Sequence, residues 1–170
     1  HIAALNTSKH LATEDVIKKA KKDFEIETFY IDNRITPLNA LANLFDGKSF
    51  HVTRFYNEVV AMSIKEILKS KNFDAVIFES LFMAPYLDLV QNLIKAKIVL
   101  RSHNIEYRIW ERVSEETNNW FKKKYLKLQA KRLRLFEESV SPRFDIVAAI
   151  SPNDLIAYQE MGLSSRSFYL

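Results

Sequence analysis

Two short polar runs, each directly after an apolar one, hold the side chains best suited to chemistry. Glu79-Ser80 follows Ala75–Phe78, and Arg101-Ser102-His103-Asn104 follows Ile98–Leu100. A carboxylate, a guanidinium and an imidazole held together can bind an anionic or hydroxyl-rich ligand, move a proton and steady developing charge. Short apolar runs bounded by polar residues read as buried strands of a parallel sheet, and the pattern from about Glu106 reads as helix. The four polar residues from Arg101 therefore fall where a strand's carboxyl end hands over to a helix, the place where ligands bind in open α/β sheets. A helix amino end also favours anions, which suits a phosphorylated ligand. If the two strands are neighbours, Glu79, Arg101 and His103 converge on one sheet edge. For Glu79 the plainer account, an ion pair with Arg101 that orders a loop, carries more weight. For His103, polar and set between a buried strand and a helix start, the functional account does.

The elements that must position these residues alternate along the rest of the chain. Residues 2–5 read as a short strand, 11–22 as a charged helix and 25–31 as a strand. Pro37 opens a short helix that Asp46-Gly47 ends. An aromatic, irregular stretch from Ser49 to Tyr56 leads to a helix at 57–70 and then to the strand 75–78. A crossover helix, 83–94, tolerates Pro85 in its first turn and returns the chain to Ile98. From Glu106 to Ser139 the pattern is helical, with a break near 116–119. In its second half Leu126, Leu133, Phe136 and Val140 share one face, while Lys122, Lys123, Lys124, Lys127, Lys131, Arg132 and Arg134 surround the rest. Pro142 ends it, 145–150 is a strand, and Ser151-Pro152 begins a helix closed by Gly162. The crossovers are long enough for parallel pairing, so the expected fold is α/β: a doubly wound, mainly parallel sheet with helices on both faces, in one domain spanning 1–170. The chain opens at His1 already inside a strand and closes at 167–170 on what reads as the start of another, so it reads as a partial domain truncated at both ends.

Composition narrows the chemistry. Of 170 residues 48% are hydrophobic and 12% aromatic, enough for one sizeable core. A net charge of +4 permits anionic partners without requiring them. The absence of cysteine excludes disulfides and thiolate metal sites. No apolar run approaches the roughly 18 residues of a membrane span, and no signal peptide opens the chain, so the expected location is cytoplasmic, at most peripheral at the inner face of the membrane. The only glycines are Gly47 and Gly162, so there is no glycine-rich phosphate loop; a His-Glu-x-x-His, a Gly-x-Ser-x-Gly and an Asp-x-Asp pair are also missing, and no metal site is expected. His1, His10 and His51 are scattered and read as no ligand set. The basic helix 106–139 reads first as a solvated face. Its second reading is a contact with an anionic membrane surface, helped by Trp110, Trp120, Phe121 and Tyr125. Nucleic-acid binding ranks last and is not expected.

Four segments in order carry a resemblance: Phe73-Asp74-Ala75-Val76-Ile77-Phe78-Glu79-Ser80, Met83-Ala84-Pro85-Tyr86-Leu87, Arg101-x-His103-Asn104-x-Glu106, and Phe144-Asp145-Ile146-Val147-Ala148-Ala149-Ile150-Ser151. Together they resemble the amino-terminal domain of GT-B glycosyltransferases, more narrowly the retaining, metal-independent family-4 (group 1) transferases. The resemblance covers nearly the whole chain, from the family's second strand onward. It implies a Rossmann-like domain that shapes the acceptor side of a two-domain cleft, acting on a polysaccharide or lipid-linked glycan precursor. It implies no resident cofactor: the nucleotide sugar is a co-substrate held mainly by a carboxyl-terminal domain. His103 would be the catalytic residue, beside the donor sugar and its diphosphate. Arg101, Asn104, Glu106 and Glu79 would line or support that pocket, and Ser151 would lie where the chain turns toward the second domain. The sequence departs from the family in lacking the first strand, the glycine-rich loop after it and the whole second domain with its acidic pair. The parent protein is thus expected to be the transferase and this fragment alone inactive. The family's first strand sits in mid-sheet, so its absence leaves open edges that invite pairing into a homo-oligomer. The competing expectation is a free-standing α/β ligand-binding or interaction module without chemistry.

Overall fold

The computed structural model describes all residues, 1–170, and every strand pairs in parallel. β1 (Ile2–Thr7) and β2 (Ile26–Ile31), joined through α1 (Glu14–Asp23), form a two-stranded sheet. α2 (Pro37–Asp46), α3 (Phe50–Thr53) and α4 (Glu58–Ser70) lead to a second sheet of four strands. Its order is β3 (Ala75–Glu79), β4 (Lys97–Ser102), β5 (Ile146–Ala149) and β6 (Ser167–Tyr169). The crossovers within it are a 3-10 turn at Leu81–Tyr86 with α5 (Leu87–Leu93), then α6 (Glu106–Glu116) with α7 (Trp120–Val140), then α8 (Pro152–Tyr158). This is the expected Rossmann-like α/β fold.

Burial explains why the central strands read as unbroken apolar runs. Val147, Ala148 and Ala149 are consecutive and all buried, so both faces of β5 are covered. Leu100 of β4 and Val147 are wholly shielded from solvent. Ile31 of β2 belongs to the same core as Phe78, Leu100 and Val147, with Leu5 and Phe29 packed against it, so the two sheets share one interior. The departure from expectation is that the strands form two sheets rather than one. β1 pairs only with β2, and β3 pairs only with β4, which leaves Ile77 of β3 58% exposed.

Local chemistry sets most boundaries. Pro37 opens α2 behind Thr36, whose hydroxyl accepts from Asn39 N–H (3.2 Å), and Gly47 closes it at φ 72°. The expected break after α6 falls at residues 117–119, where Asn119 caps α7 by accepting from Lys122 N–H (2.9 Å). The helix expected at 83–94 begins instead as a 3-10 turn, because Pro85 lacks the N–H that an α-helix needs in its interior. Ser80 enters that turn at φ 102°, outside the range comfortable for a side chain, and its hydroxyl accepts from Phe82 N–H (3.3 Å).

α7 braces the molecule. Its buried face consists of Leu126, Gln129, Ala130, Leu133, Glu137 and Val140, with Phe136 only half-buried. Gln129, fully buried, accepts from Phe50 N–H (2.8 Å) and donates to Asn43 Oδ1 (2.6 Å). Arg132 donates to the carbonyls of Asn43 (2.8 Å) and Leu44 (2.9 Å). One helix thus fastens the end of α2 and the start of α3. Gln129→Leu keeps the bulk but leaves the Phe50 N–H unpaired and Asn43 Oδ1 with only the 3.5 Å approach of Arg132 Nη1. Urea unfolding should show a loss of about 2–4 kcal/mol, with an unchanged m-value.

Candidate functional site

The register of β3 against β4 sets Glu79 directly opposite Arg101, so the pair expected at a loop is written into the sheet. Arg101 and Ser102 lie inside β4 rather than beyond it. The two-residue period of a strand then separates them: Ser102 is buried, while Arg101 stays half-exposed beside Glu79. Arg101 Nη1 donates to Glu79 Oε2 at 2.9 Å, and His103 Nε2 lies 3.0 Å from the same oxygen. The approach of Arg101 Nη1 to His103 Nε2 is longer, 3.5 Å. The shorter contact fixes the proton on Nε2, donating to the carboxylate; when the ring is an imidazolium it also donates outward through Nδ1. Burial pushes the Glu79 carboxyl up, but the hydrogen bonds from His103 and Arg101 and their charges outweigh it and hold the group below its usual range. The arrangement is one carboxylate shared by a guanidinium and an imidazole at the carboxyl edge of the sheet.

Behind it lies a second, buried constellation. Glu137 reaches up from α7 and accepts from the N–H groups of Glu106 (3.4 Å) and Tyr107 (3.2 Å) at the start of α6. Ile105 N–H goes to Asp154 Oδ1 (3.3 Å). The amino end of α6, which the sequence suggested for an external anion, is therefore occupied by the protein's own carboxylate. The Tyr158 hydroxyl lies 3.2 Å from Glu137 Oε1 and 2.8 Å from Ser102 Oγ, and Ser102 donates to the carbonyl of Asn104 (3.0 Å). Burial pushes the Tyr158 hydroxyl far up from its ordinary value.

Glu106 is buried and no protein hydrogen bond reaches its carboxyl. Burial raises its pKa to about 7, opposed by the charge of His103 and assisted by that of Asp154. Burial also raises Glu137 to about 7, against the donors from Tyr107, Glu106 and Tyr158 and with help from the charge of Glu106. With two backbone N–H donors on its carboxylate where Glu106 has none, Glu137 keeps the negative charge, and Glu106 takes the proton.

The structure thus brings Glu79, Arg101 and His103 together. Asn104 is exposed at the rim, Glu106 is turned inward, and Ser151 is engaged in capping α8, accepting from Asp154 N–H (3.1 Å) and standing 2.6 Å from its Oδ2. Glu137, Tyr158 and Asp154 escaped the sequence reading. Glu137 left a signal, since it lies four residues after Leu133 and three before Val140, a charge on an otherwise apolar face. A surface depression of about 560 Å³ lies at the opposite, amino edge of the sheet. Of its cations Lys97 pairs with Asp145 (3.2 Å), Arg143 with Asp88 and Arg166 with the carbonyl of Pro142 (3.2 Å), while Lys95 has no partner. No three His, Asp or Glu side chains gather as a metal site.

The shared proton gives a test. A carboxyl with a folded pKa near 7 against an ordinary 4.5 binds a proton on folding. Its contribution is fully present below about 4.5 and is lost as pH rises through about 7. Glu106→Gln should therefore match wild type in thermal melts at about pH 4 and exceed it by about 1–3 kcal/mol at about pH 8. Glu137→Gln strips a carboxylate from two backbone donors and should destabilise at both. Comparison with family models, with curated proteins and with solved structures finds no match to this chain.

Proposed function

We propose that the chain is the acceptor-side, amino-terminal domain of a retaining glycosyltransferase of the GT-B, family-4 type, and that its parent protein moves a sugar from a nucleotide sugar to a glycan or lipid-linked acceptor. The observation that carries this reading is the meeting of Glu79, Arg101 and His103 at the carboxyl edge of neighbouring parallel strands, the position where open α/β sheets hold ligands. His103 is the catalytic residue in this reading. Glu79 orients its ring, and the imidazolium Nδ1–H hydrogen-bonds charge developing on the leaving diphosphate. Arg101 holds the Glu79 carboxylate in place. Asn104 lines the rim, while Glu106 and Ser151 support it from behind through the α6 start and the α8 cap. The donor is a co-substrate rather than a resident cofactor, and a further domain supplies most of its contacts.

A membrane-surface acceptor fits the face of α7. Lys122, Lys124, Lys127 and Lys131 are exposed and none has a carboxylate partner, and Trp120 and Phe121 are 57% and 77% exposed beside them. Lys124 sits over the Trp120 ring at 4.0 Å. The other basic residues of the helix are engaged: Lys123 with the carbonyl of Glu115 (2.9 Å), Arg134 with Glu138 (2.7 Å), Arg132 with α2. No helix is long and apolar enough to cross a membrane, so the contact is peripheral. The second reading, a binding module without chemistry, draws on the mutual pairing of Glu79, Arg101 and His103, which satisfies all three without a ligand.

Assayed on the complete parent protein with a panel of nucleotide sugars, His103→Ala should lower turnover about a hundredfold or more while leaving the fold intact. Full activity in that variant would move the chemistry elsewhere, and a parent without sugar turnover would leave the binding module. Liposome sedimentation should show the chain bound to anionic vesicles at low salt and released as salt rises; indifference to anionic lipid removes the membrane contact.

A further inference from the structure

Seven buried side-chain polar atoms have no hydrogen-bond partner; four of them, both ring nitrogens of His51, Arg54 Nε and the Tyr125 hydroxyl, belong to side chains close enough for their charges to act in sequence, and a fifth, Ser49 Oγ, lies two residues before His51 at the start of α3. His51 and Arg54 are three residues apart across α3, hence on one face of that turn. The Phe50–Gln129 bond pins α3 to α7, and Tyr125 lies one turn before Gln129 on the same face. His51 is 2% exposed and stacks on half-buried Trp110 of α6 with ring centroids 3.6 Å apart. The side chain of Arg54 makes no hydrogen bond and no ion pair; its only recorded partner is the ring of Phe55, 5.0 Å from its Cζ. The contrast with its peers is sharp. Of the arginines that are not exposed, Arg101 pairs with Glu79 and Arg132 is spent on backbone carbonyls, which leaves Arg54 alone without an acceptor.

Buried polar groups are normally paired, and a partly buried guanidinium without a counter-ion is costly. Every group here can donate, and none is a carboxylate. Arg54 offers its enclosed Nε–H, neutral His51 one ring N–H, and the hydroxyls of Tyr125 and Ser49 one each. A donor set of this kind around a single cation is complementary to a compact anion with several acceptor oxygens. Burial, and after it the charge of Arg54, hold His51 at about 4, which agrees with an imidazole waiting for an anion rather than facing one. The pocket also lies on the carboxyl side of the sheet: Tyr86, at the end of the turn after β3, donates to the carbonyl of Phe55 (2.9 Å), and Phe55 stacks on Phe82 of the same turn, centroids 5.0 Å apart.

We infer that Ser49, His51, Arg54 and Tyr125 form a binding pocket for a phosphoryl group, covered by Trp110. This stands whether or not the Glu79–Arg101–His103 edge transfers a sugar. The chain has two tryptophans, Trp110 and Trp120, so a Trp120→Phe background leaves Trp110 fluorescence as the reporter beside His51. At constant ionic strength, inorganic phosphate, glycerol 3-phosphate and monomeric short-chain phosphatidic acid are titrated in turn, with acetate as control. The expected result is a saturable change with at least one phosphate-bearing probe. The glycerol phosphate and phosphatidic acid arms tell a soluble monoester from a lipid headgroup. Arg54→Met should weaken that binding about tenfold or more, and Tyr125→Phe, which keeps the ring and the fold, should weaken it measurably. No saturable response to any phosphate probe, an equal response to acetate, or unchanged affinity in both variants would overturn the inference and leave a water-filled polar pocket.

Discussion

The buried carboxylate of Glu137 is the constraint on which the architecture of the site depends. It is fully shielded, yet it accepts from two backbone N–H groups at the start of α6, with the Tyr158 hydroxyl at the end of α8 standing 3.2 Å away. An isolated carboxylate in that position would be prohibitively costly, and the two backbone donors make it tolerable. In return, one side chain of α7 fixes where α6 begins, and therefore where the Ser102–Asn104 turn leaves β4. Replacing that carboxylate with an apolar group would strand the N–H donors of α6 in the interior.

The front of the site obeys different energetics. Glu79, Arg101 and His103 are each roughly half-exposed, and ion pairs in such surroundings contribute only about 0–1 kcal/mol. Stability alone is thus a weak reason for three ionisable groups to meet on one carboxylate oxygen. What the arrangement does is orient: Glu79 holds the His103 ring through Nε2, and Arg101 holds Glu79 from the neighbouring strand.

How much of this was legible in the sequence follows from how local each signal is. The strands, the α6–α7 break, the Gly47 closure and the strand ends that carry Glu79 and His103 are set by short-range rules of periodicity, capping and φ preference, and they were readable, whereas α8 ends at Tyr158, four residues before Gly162 turns the chain at φ 85°. The end of β4 was set two residues too early, because Arg101 and Ser102 look like loop residues until the opposing Glu79 is known; cross-strand register is a non-local fact. Glu137 was visible only as a charge on an apolar face, and its partners, 30 residues upstream and 21 downstream along the chain, were not. His51 was passed over because its neighbours come from three separate helices. Such sites are defined by packing, and spacing in the sequence carries no trace of them.

The division into two sheets bears on the site less than it does on the rest of the fold. Every residue of the carboxyl-edge cluster is placed by β3, β4 and β5 and by the helices that follow them, whose registers are complete within the four-stranded sheet. The unpaired edge of β3 lies on the side away from β4, and Glu79 takes its position from Arg101 rather than from anything across that edge. Whatever strand, copy or solvent meets Ile77 and its neighbours can therefore alter stability and self-association without disturbing the geometry of His103. The sheet break and the chemistry are separable, because the hydrogen bonds that build the site all run in the other direction.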